Sequence, residues 1–210
     1  RPDVVINTAA MTNVDACELE KENAWLMNAS SVDYQVKVLE SLKNKRPKYS
    51  PHFIHLSTDF IFDGAHGPLD ENEKPNPLSY YAETKLEAEK IVMASSLDWA
   101  IARTVLVYGI VDNMSRSNIV LWVKSNLEQG KTINVVDDQF RTPTLAEDLA
   151  DGCILIAKKR AKGIYNISGK DFYSILELAN TVADYYGLDK SLIKPSKSAD
   201  IKQPAKRPPI

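Results

Sequence analysis

The sequence predicts an α/β domain built around a mostly parallel sheet. Short apolar runs alternate with longer amphipathic stretches along the whole chain, the order that crossover units produce. Runs such as Val4-Val5-Ile6 are continuous rather than alternating, as strands covered on both faces are. Gly130 and Gly187 stand where helical stretches end, the position that a left-handed stop favours.

Val4-Val5-Ile6 leads into Asn7-Thr8-Ala9-Ala10 and reads as the first strand. Asp15, with Glu18 three residues on, suggests a capping-box-like start for a short helix, and a longer helix is expected from Asn23 to Leu42. Phe53-Ile54-His55-Leu56 reads as the second strand and ends in Ser57-Thr58-Asp59. Gly64, Gly67, Pro68, Pro75 and Pro77 then mark a long loop, and loops of that length tend to be functional. Ser79 is a candidate cap for a helix reaching Ala94, and Trp99 to Ala102 is a strand. Further on, helices are expected at Ile119 to Gln129, Leu145 to Lys159 and Ser174 to Tyr186, with strands at Ile133 to Val136 and Ile164 to Ile167. The first strand begins almost at once and Gln203 to Ile210 is extended and Pro-rich, so further chain is expected on both sides.

With 210 residues, 44% hydrophobic and 26% charged, the chain has the composition of one globular domain, or one with a small appendage. Its 26 basic and 28 acidic residues give a net charge of −2 without long blocks of either sign, which argues against nucleic acid as a partner. No apolar run approaches the roughly 18–20 residues that span a bilayer, and Arg-Pro-Asp is no signal peptide, so a cytoplasmic protein with no membrane partner is expected. Cys17 and Cys153 lack any metal-site spacing and read as small buried residues. His52, His55 and His66 likewise lack partners at ligand spacing, so they read as core or surface residues and no metal is expected.

The strongest local signal is Tyr81-Ala82-Glu83-Thr84-Lys85 on the helix after the long loop. Residues four apart share a helical face, and an ammonium beside a phenol favours its ionised form, so Tyr81 and Lys85 make a plausible tuned acid/base. Ser57-Thr58-Asp59 lies at the C-terminal end of a strand, where open α/β sheets place ligands. Ala9 and Ala10 occupy a similar strand end, where small side chains let a flat ligand approach the backbone.

Asn7 to Asp15 with Glu18 resembles the fourth-strand motif of extended short-chain dehydrogenases/reductases, within them the dTDP-4-dehydrorhamnose reductase-like branch. Asn28, Ser57 to Gly64, Tyr81 to Lys85, Arg103-Thr104, Val107-Tyr108-Gly109, Asp138-Gln139, Pro143-Thr144 and Arg207-Pro208 follow in the family's order. The resemblance covers essentially the whole chain and implies a Rossmann-type doubly wound parallel sheet with a smaller C-terminal substrate-binding lobe. Residues 1–110 would be the remaining part of the dinucleotide-binding domain and 111–210 mainly the substrate lobe, with some segments returning to the first domain.

It further implies NADPH or NADH as cofactor and a nucleotide-activated 4-keto-6-deoxy sugar as substrate, and it admits a homodimer. Tyr81 would donate a proton to the C4 oxygen, Thr58 would hydrogen-bond that oxygen, and Lys85 would hold the nicotinamide ribose. Asn28 would support a water-linked proton path behind the lysine. Ala9, Ala10 and Ser57 would line the cofactor together with Asn28, Tyr81 and Lys85, while Thr12, Val14, Thr58, Asp59, Leu106, Gln139 and Arg207 would contact the substrate.

The chain departs from the pattern in lacking a glycine-rich phosphate loop, so by the resemblance roughly the first three strands of the cofactor half are missing. Leu106 also stands where the family usually carries a tryptophan before Val-Tyr-Gly, and Arg141 where a glycine is common. Arg141 reads either as a charge directed at a nucleotide-sugar phosphate or as a surface residue paired with Asp137 or Glu147. A related nucleotide-sugar epimerase or reductase remains an alternative. Another is a non-catalytic dinucleotide-binding regulatory subunit, of the kind represented by the methionine adenosyltransferase β subunit.

Overall fold

A computed structural model of the chain describes residues 1–46, 48–112 and 117–210. Its first half runs β1 (Val4–Asn7), α1 (Val14–Leu19), α2 (Lys21–Trp25), a π-helical turn (Leu26–Ser30), α3 (Ser31–Lys45), β2 (His52–Thr58), α4 (Tyr80–Ala94), β3 (Asp98–Thr104) and β4 (Val107–Tyr108). There follow α5 (Ile119–Glu128), β5 (Ile133–Val136), β6 (Phe140–Arg141), β7 (Thr144–Leu145), α6 (Ala146–Lys159), β8 (Gly163–Asn166), β9 (Tyr173–Ser174), α7 (Ile175–Tyr186) and β10 (Ile193–Ser196). The expected alternation is therefore present, and the chain divides into two compact units.

The first unit comprises residues 1–104, 149–167 and 203–208. Its sheet has the order β1-β2-β3-β8 with every pair parallel. Alternate residues of β2 enter different cores: Phe53 joins Val32, Val36, Leu39, Ala88 and Val92 of α3 and α4, while Ile54 joins Leu149, Cys153 and Ile156 of α6. Helices on both faces account for the continuous apolar runs. Cys17 and Cys153 are both buried in the apolar interior, as small core residues are.

The second unit comprises residues 105–148, 168–202 and 209–210. Parallel β5 and β10 pack with α5 and α7 through Val123, Leu127, Ile133, Val182 and Ile193. Ser174 and Glu177 form a reciprocal capping box at the start of α7. Gly187, at φ +63°, supplies the left-handed stop.

Two local expectations are corrected. Asn13, not Asp15, caps α1, accepting a hydrogen bond from Ala16 N. Asp15 lies inside the helix with its carboxylate on Arg207, and Glu18 accepts from Tyr80 N at 2.7 Å, so neither acid is part of a local box. The single helix expected from Asn23 to Leu42 is interrupted by the π turn, where Asn28 and Ala29 are both buried. Periodicity over the longer stretch does not show such an inserted residue.

Candidate active site

Helix α4 carries the site because its start is held from two directions: Ser79 Oγ accepts from Ala82 N and Glu18 accepts from Tyr80 N. The helix then presents Tyr81, Lys85 and Glu89 at intervals of four, one above another and all buried. Tyr81 packs edge-on against Phe60, their ring centres 5.9 Å apart, in a cluster with Cys17, Ala24 and Val14.

The strand pleat supplies the facing residues. Asn7 of β1 is opposite His55 of β2, and Ser57 is opposite Arg103 of β3. His55 and Ser57 lie on the same face of β2 as Phe53, which packs against α3 and α4. Lys85 Nζ donates to Leu56 O at 2.7 Å and lies 3.3 Å from His55 Nε2. His55 Nδ1 is 3.2 Å from Asn7 Nδ2. One turn beyond the lysine, Glu89 takes Arg103 in a two-pronged ion pair of 3.0 and 2.8 Å.

Burial sets the charges here. It brings Lys85 down to about 8, against the pull of the Glu89 carboxylate. It also holds His55 well below the usual imidazole range, with the Lys85 charge acting in the same direction. At neutral pH the pair is therefore a charged lysine against a neutral imidazole. Arg103, bonded to Glu89, compensates that carboxylate's charge.

Ser57 Oγ is buried and has no hydrogen-bond partner among the described residues. Thr58 Oγ1 donates to Asp59 at 2.9 Å and accepts from Phe60 N at 3.2 Å, capping the turn Asp59–Ile61. To donate to a substrate oxygen, Thr58 must rotate its O–H away from Asp59. At the end of β1, Ala9 and Thr12 are exposed and Ala10 is half-buried.

Asn28 is fully buried, and its amide joins the two halves of the site. Oδ1 accepts from Met11 N at 2.7 Å, while Nδ2 donates to Met11 O at 3.1 Å and Thr84 Oγ1 at 3.0 Å. Thr84 in turn donates to Tyr81 O. Both amide hydrogens of Asn28 are thus engaged in fixing the end of β1 to α4.

Arg207 grips Asp15 at 3.2 and 2.6 Å, tying the 203–208 segment to α1. Burial raises the Asp15 carboxyl, but the bonds from Arg207 and Ala205 outweigh it and hold the group below its ordinary 3.8. Because the folded value is the lower one, the stabilisation is complete above roughly pH 4 and fades as pH falls through the lowered value. Asp15→Asn is expected to cost about 1 kcal/mol at neutral pH, since the pair is partly screened by water, and almost nothing near pH 2. Urea unfolding at the two pH values checks this. An equal loss at both would show that packing, not charge, is responsible.

Leu106 and Gln139 belong to the second unit. Leu106 has φ +38°, a left-handed conformation uncommon for leucine, and its carbonyl accepts from Thr144 N. Gln139 is buried and donates to Ser198 Oγ at 2.8 Å. Arg141 is 4% exposed and donates to Phe140 O, so it is a buried rather than a surface residue, and Asp137 pairs with Lys197. This unit also contains a cavity of about 660 Å³, lined in part by Tyr108, Pro143, Lys170, Tyr173, Tyr185 and Tyr186.

The sequence reading missed His55 as a site residue and Glu89 altogether. His55 could have been found from its direct lead into Ser57-Thr58-Asp59 on the same strand. Glu89 could have been found as the next step of four after Tyr81 and Lys85.

Residues 1–210 match the model of the RmlD substrate binding domain. The chain is 31% identical over 200 residues to methionine adenosyltransferase 2 subunit beta of Xenopus tropicalis, covering 93% of this chain and 58% of that protein. It therefore spans less than two thirds of that relative. Among solved structures it is similar to a dTDP-4-dehydrorhamnose reductase of Clostridium acetobutylicum, with a TM-score of 0.89, 31% identity and coverage of 99% of this chain and 70% of that one. The dTDP-4-dehydrorhamnose reductase of Bacillus anthracis, in complex with NADP, has a TM-score of 0.88 at 26% identity, with coverage of 99% and 70%.

Proposed function

The chain belongs to the RmlD substrate binding domain family, and from that premise we propose that it serves an NAD(P)H-dependent reduction of the C4 keto group of a nucleotide-activated 6-deoxy sugar. The observation that carries this reading is the buried face of α4, which sets Tyr81 and Lys85 one turn apart, with Lys85 bonded to the C-terminal part of β2 at Leu56 O.

The residues fit a nicotinamide dinucleotide, the group bound by the Bacillus anthracis relative. Ser57 has a buried hydroxyl with no partner among the described residues, and Ala9 leaves the end of β1 exposed without a bulky side chain. The charged Lys85 has a third N–H beyond those directed at Leu56 and His55, available to a ribose hydroxyl. Bound NADPH or NADH supplies the hydride. Tyr81 delivers the proton that completes reduction of the carbonyl to an alcohol, and Thr58, once rotated, hydrogen-bonds the same oxygen. Asn28 keeps the end of β1 and the Tyr81 turn in register through Met11 and Thr84. Leu106, Gln139, Asp59, Thr12, Val14 and Arg207 are proposed for the substrate side, and Leu106 in place of the usual tryptophan directs attention to the choice of sugar.

A second reading comes from the likeness to methionine adenosyltransferase 2 subunit beta, under which the chain binds a dinucleotide in the service of a partner enzyme. The test uses the full-length protein with NADPH or NADH and a panel of nucleotide sugars beginning with dTDP-4-dehydrorhamnose. Loss of the reduced-nicotinamide absorbance with one of them is the expected result. Tight dinucleotide binding without turnover on any sugar, with capture of a methionine adenosyltransferase, would overturn the reductase reading in favour of the second.

A further inference from the structure

Behind the lysine runs a buried polar row that the proposed chemistry does not use. Ala9 N donates to Asn7 Oδ1 at 3.3 Å, which leaves Asn7 Nδ2 as the group directed at His55 Nδ1, 3.2 Å away. On the far side of the ring, Nε2 lies 3.3 Å from Lys85 Nζ. His55 is fully buried, so it remains neutral and carries one ring proton.

One proton must satisfy two neighbours. With Asn7 donating to Nδ1, the ring proton lies on Nε2 and points at Nζ, which accepts it only as an uncharged amine. An ammonium at Lys85 has no lone pair and requires a bare Nε2. The ring proton then moves to Nδ1, and Asn7 must present its oxygen there, giving up the bond from Ala9 N. The two arrangements contain the same groups and differ in the lysine's charge.

We propose that His55 is a positioning residue whose tautomer is tied to the charge of Lys85, so that the row Asn7-His55-Lys85 connects the lysine's protonation to the backbone at Ala9. The consequence for catalysis rests on the reductase reading, in which Lys85 and the Ala9 segment hold the same cofactor; the row itself does not. The other titratable groups around the lysine are, on its own helix, Tyr81, whose ring packs on Phe60, and Glu89, bonded to Arg103 of β3. At the start of α4, Glu18 bonds Tyr80 N and Lys21 lies over the Tyr80 ring, while Asp15 pairs with Arg207 and Asp59 receives Thr58. Helix α3 packs on α4 through Val32, Val36 and Leu39, none of which titrates.

The experiment is a ¹⁵N NMR titration of the histidine rings in the full-length protein, with the His55 resonances assigned by a His55→Gln variant. The range runs from about pH 6 to about pH 10, spanning the lysine held near 8. The expected result is a ring protonated at Nδ1 at the acid end and at Nε2 at the alkaline end, without ever becoming doubly protonated. The Ala9 amide signal moves with the same midpoint, and in Lys85→Met the ring no longer switches. A His55 ring that keeps one tautomer while Lys85 titrates overturns the coupling. A still Ala9 amide beside a switching ring overturns its extension to the strand end. No substrate is present, so a switching ring alongside absent turnover would count against the reductase reading alone.

Discussion

Tyr81→Phe is expected to lower kcat for nucleotide-sugar reduction by about 10²–10⁴-fold, the range that a positioned proton donor contributes, or roughly 3–5 kcal/mol of barrier. The substitution is sharp because the ring has a second role that phenylalanine keeps. Tyr81 is 8% exposed, packs edge-on against Phe60, and closes the cluster with Cys17 and Ala24, all contacts of the ring body. The helix is also held independently, through Ser79, Glu18 and Thr84. Dinucleotide affinity, read by fluorescence titration, should therefore change little while single-turnover reduction collapses. Equal loss of binding and turnover would make Tyr81 a structural element of the cofactor site, and retained turnover would move the proton to another donor.

What could be read from the chain follows from the range over which each feature is determined. Ser79, Ser174 and Gly187 act within four residues of themselves, so their helix ends were legible. The strands were legible because helices on both faces make their apolar runs continuous. His55 was read as core or surface because its partners depend on sheet register: Asn7, 48 residues away, becomes its lateral neighbour only once β1 and β2 pair in parallel. Asp15 looked like a local cap for the same reason, since Arg207, 192 residues on, outcompetes the nearby backbone through a charged two-pronged contact. Tyr81 and Lys85 were visible through their helical spacing, whereas the connection of Asn28 to Met11 and Thr84 depends on a π turn that no simple periodicity records.

Glu89→Ala is expected to cost about 3–5 kcal/mol of stability, measured by urea unfolding, and to be the most damaging of these substitutions for the fold. The pair lies at 0% and 4% exposure, so removing the carboxylate strands a guanidinium where water cannot replace it. Among the described residues Arg103 keeps its bond to Glu71 O and its place over the Phe62 ring, 5.2 Å from the centre, neither of which neutralises a charge. Replacing both members by residues of similar bulk, Glu89→Met with Arg103→Met, should recover much of the loss, because apolar groups need no compensation. A loss below about 1 kcal/mol for the single variant would mean that the guanidinium reaches water. The pair also influences the chemistry. Glu89 is the carboxylate that resists the downward shift of Lys85, so Glu89→Gln, closer in shape and able to keep a hydrogen bond to Arg103, should move the lysine below its value of about 8 and carry any Lys85-dependent activity limb to lower pH. A stability change without movement of that limb would separate the structural role of the ion pair from its electrostatic one.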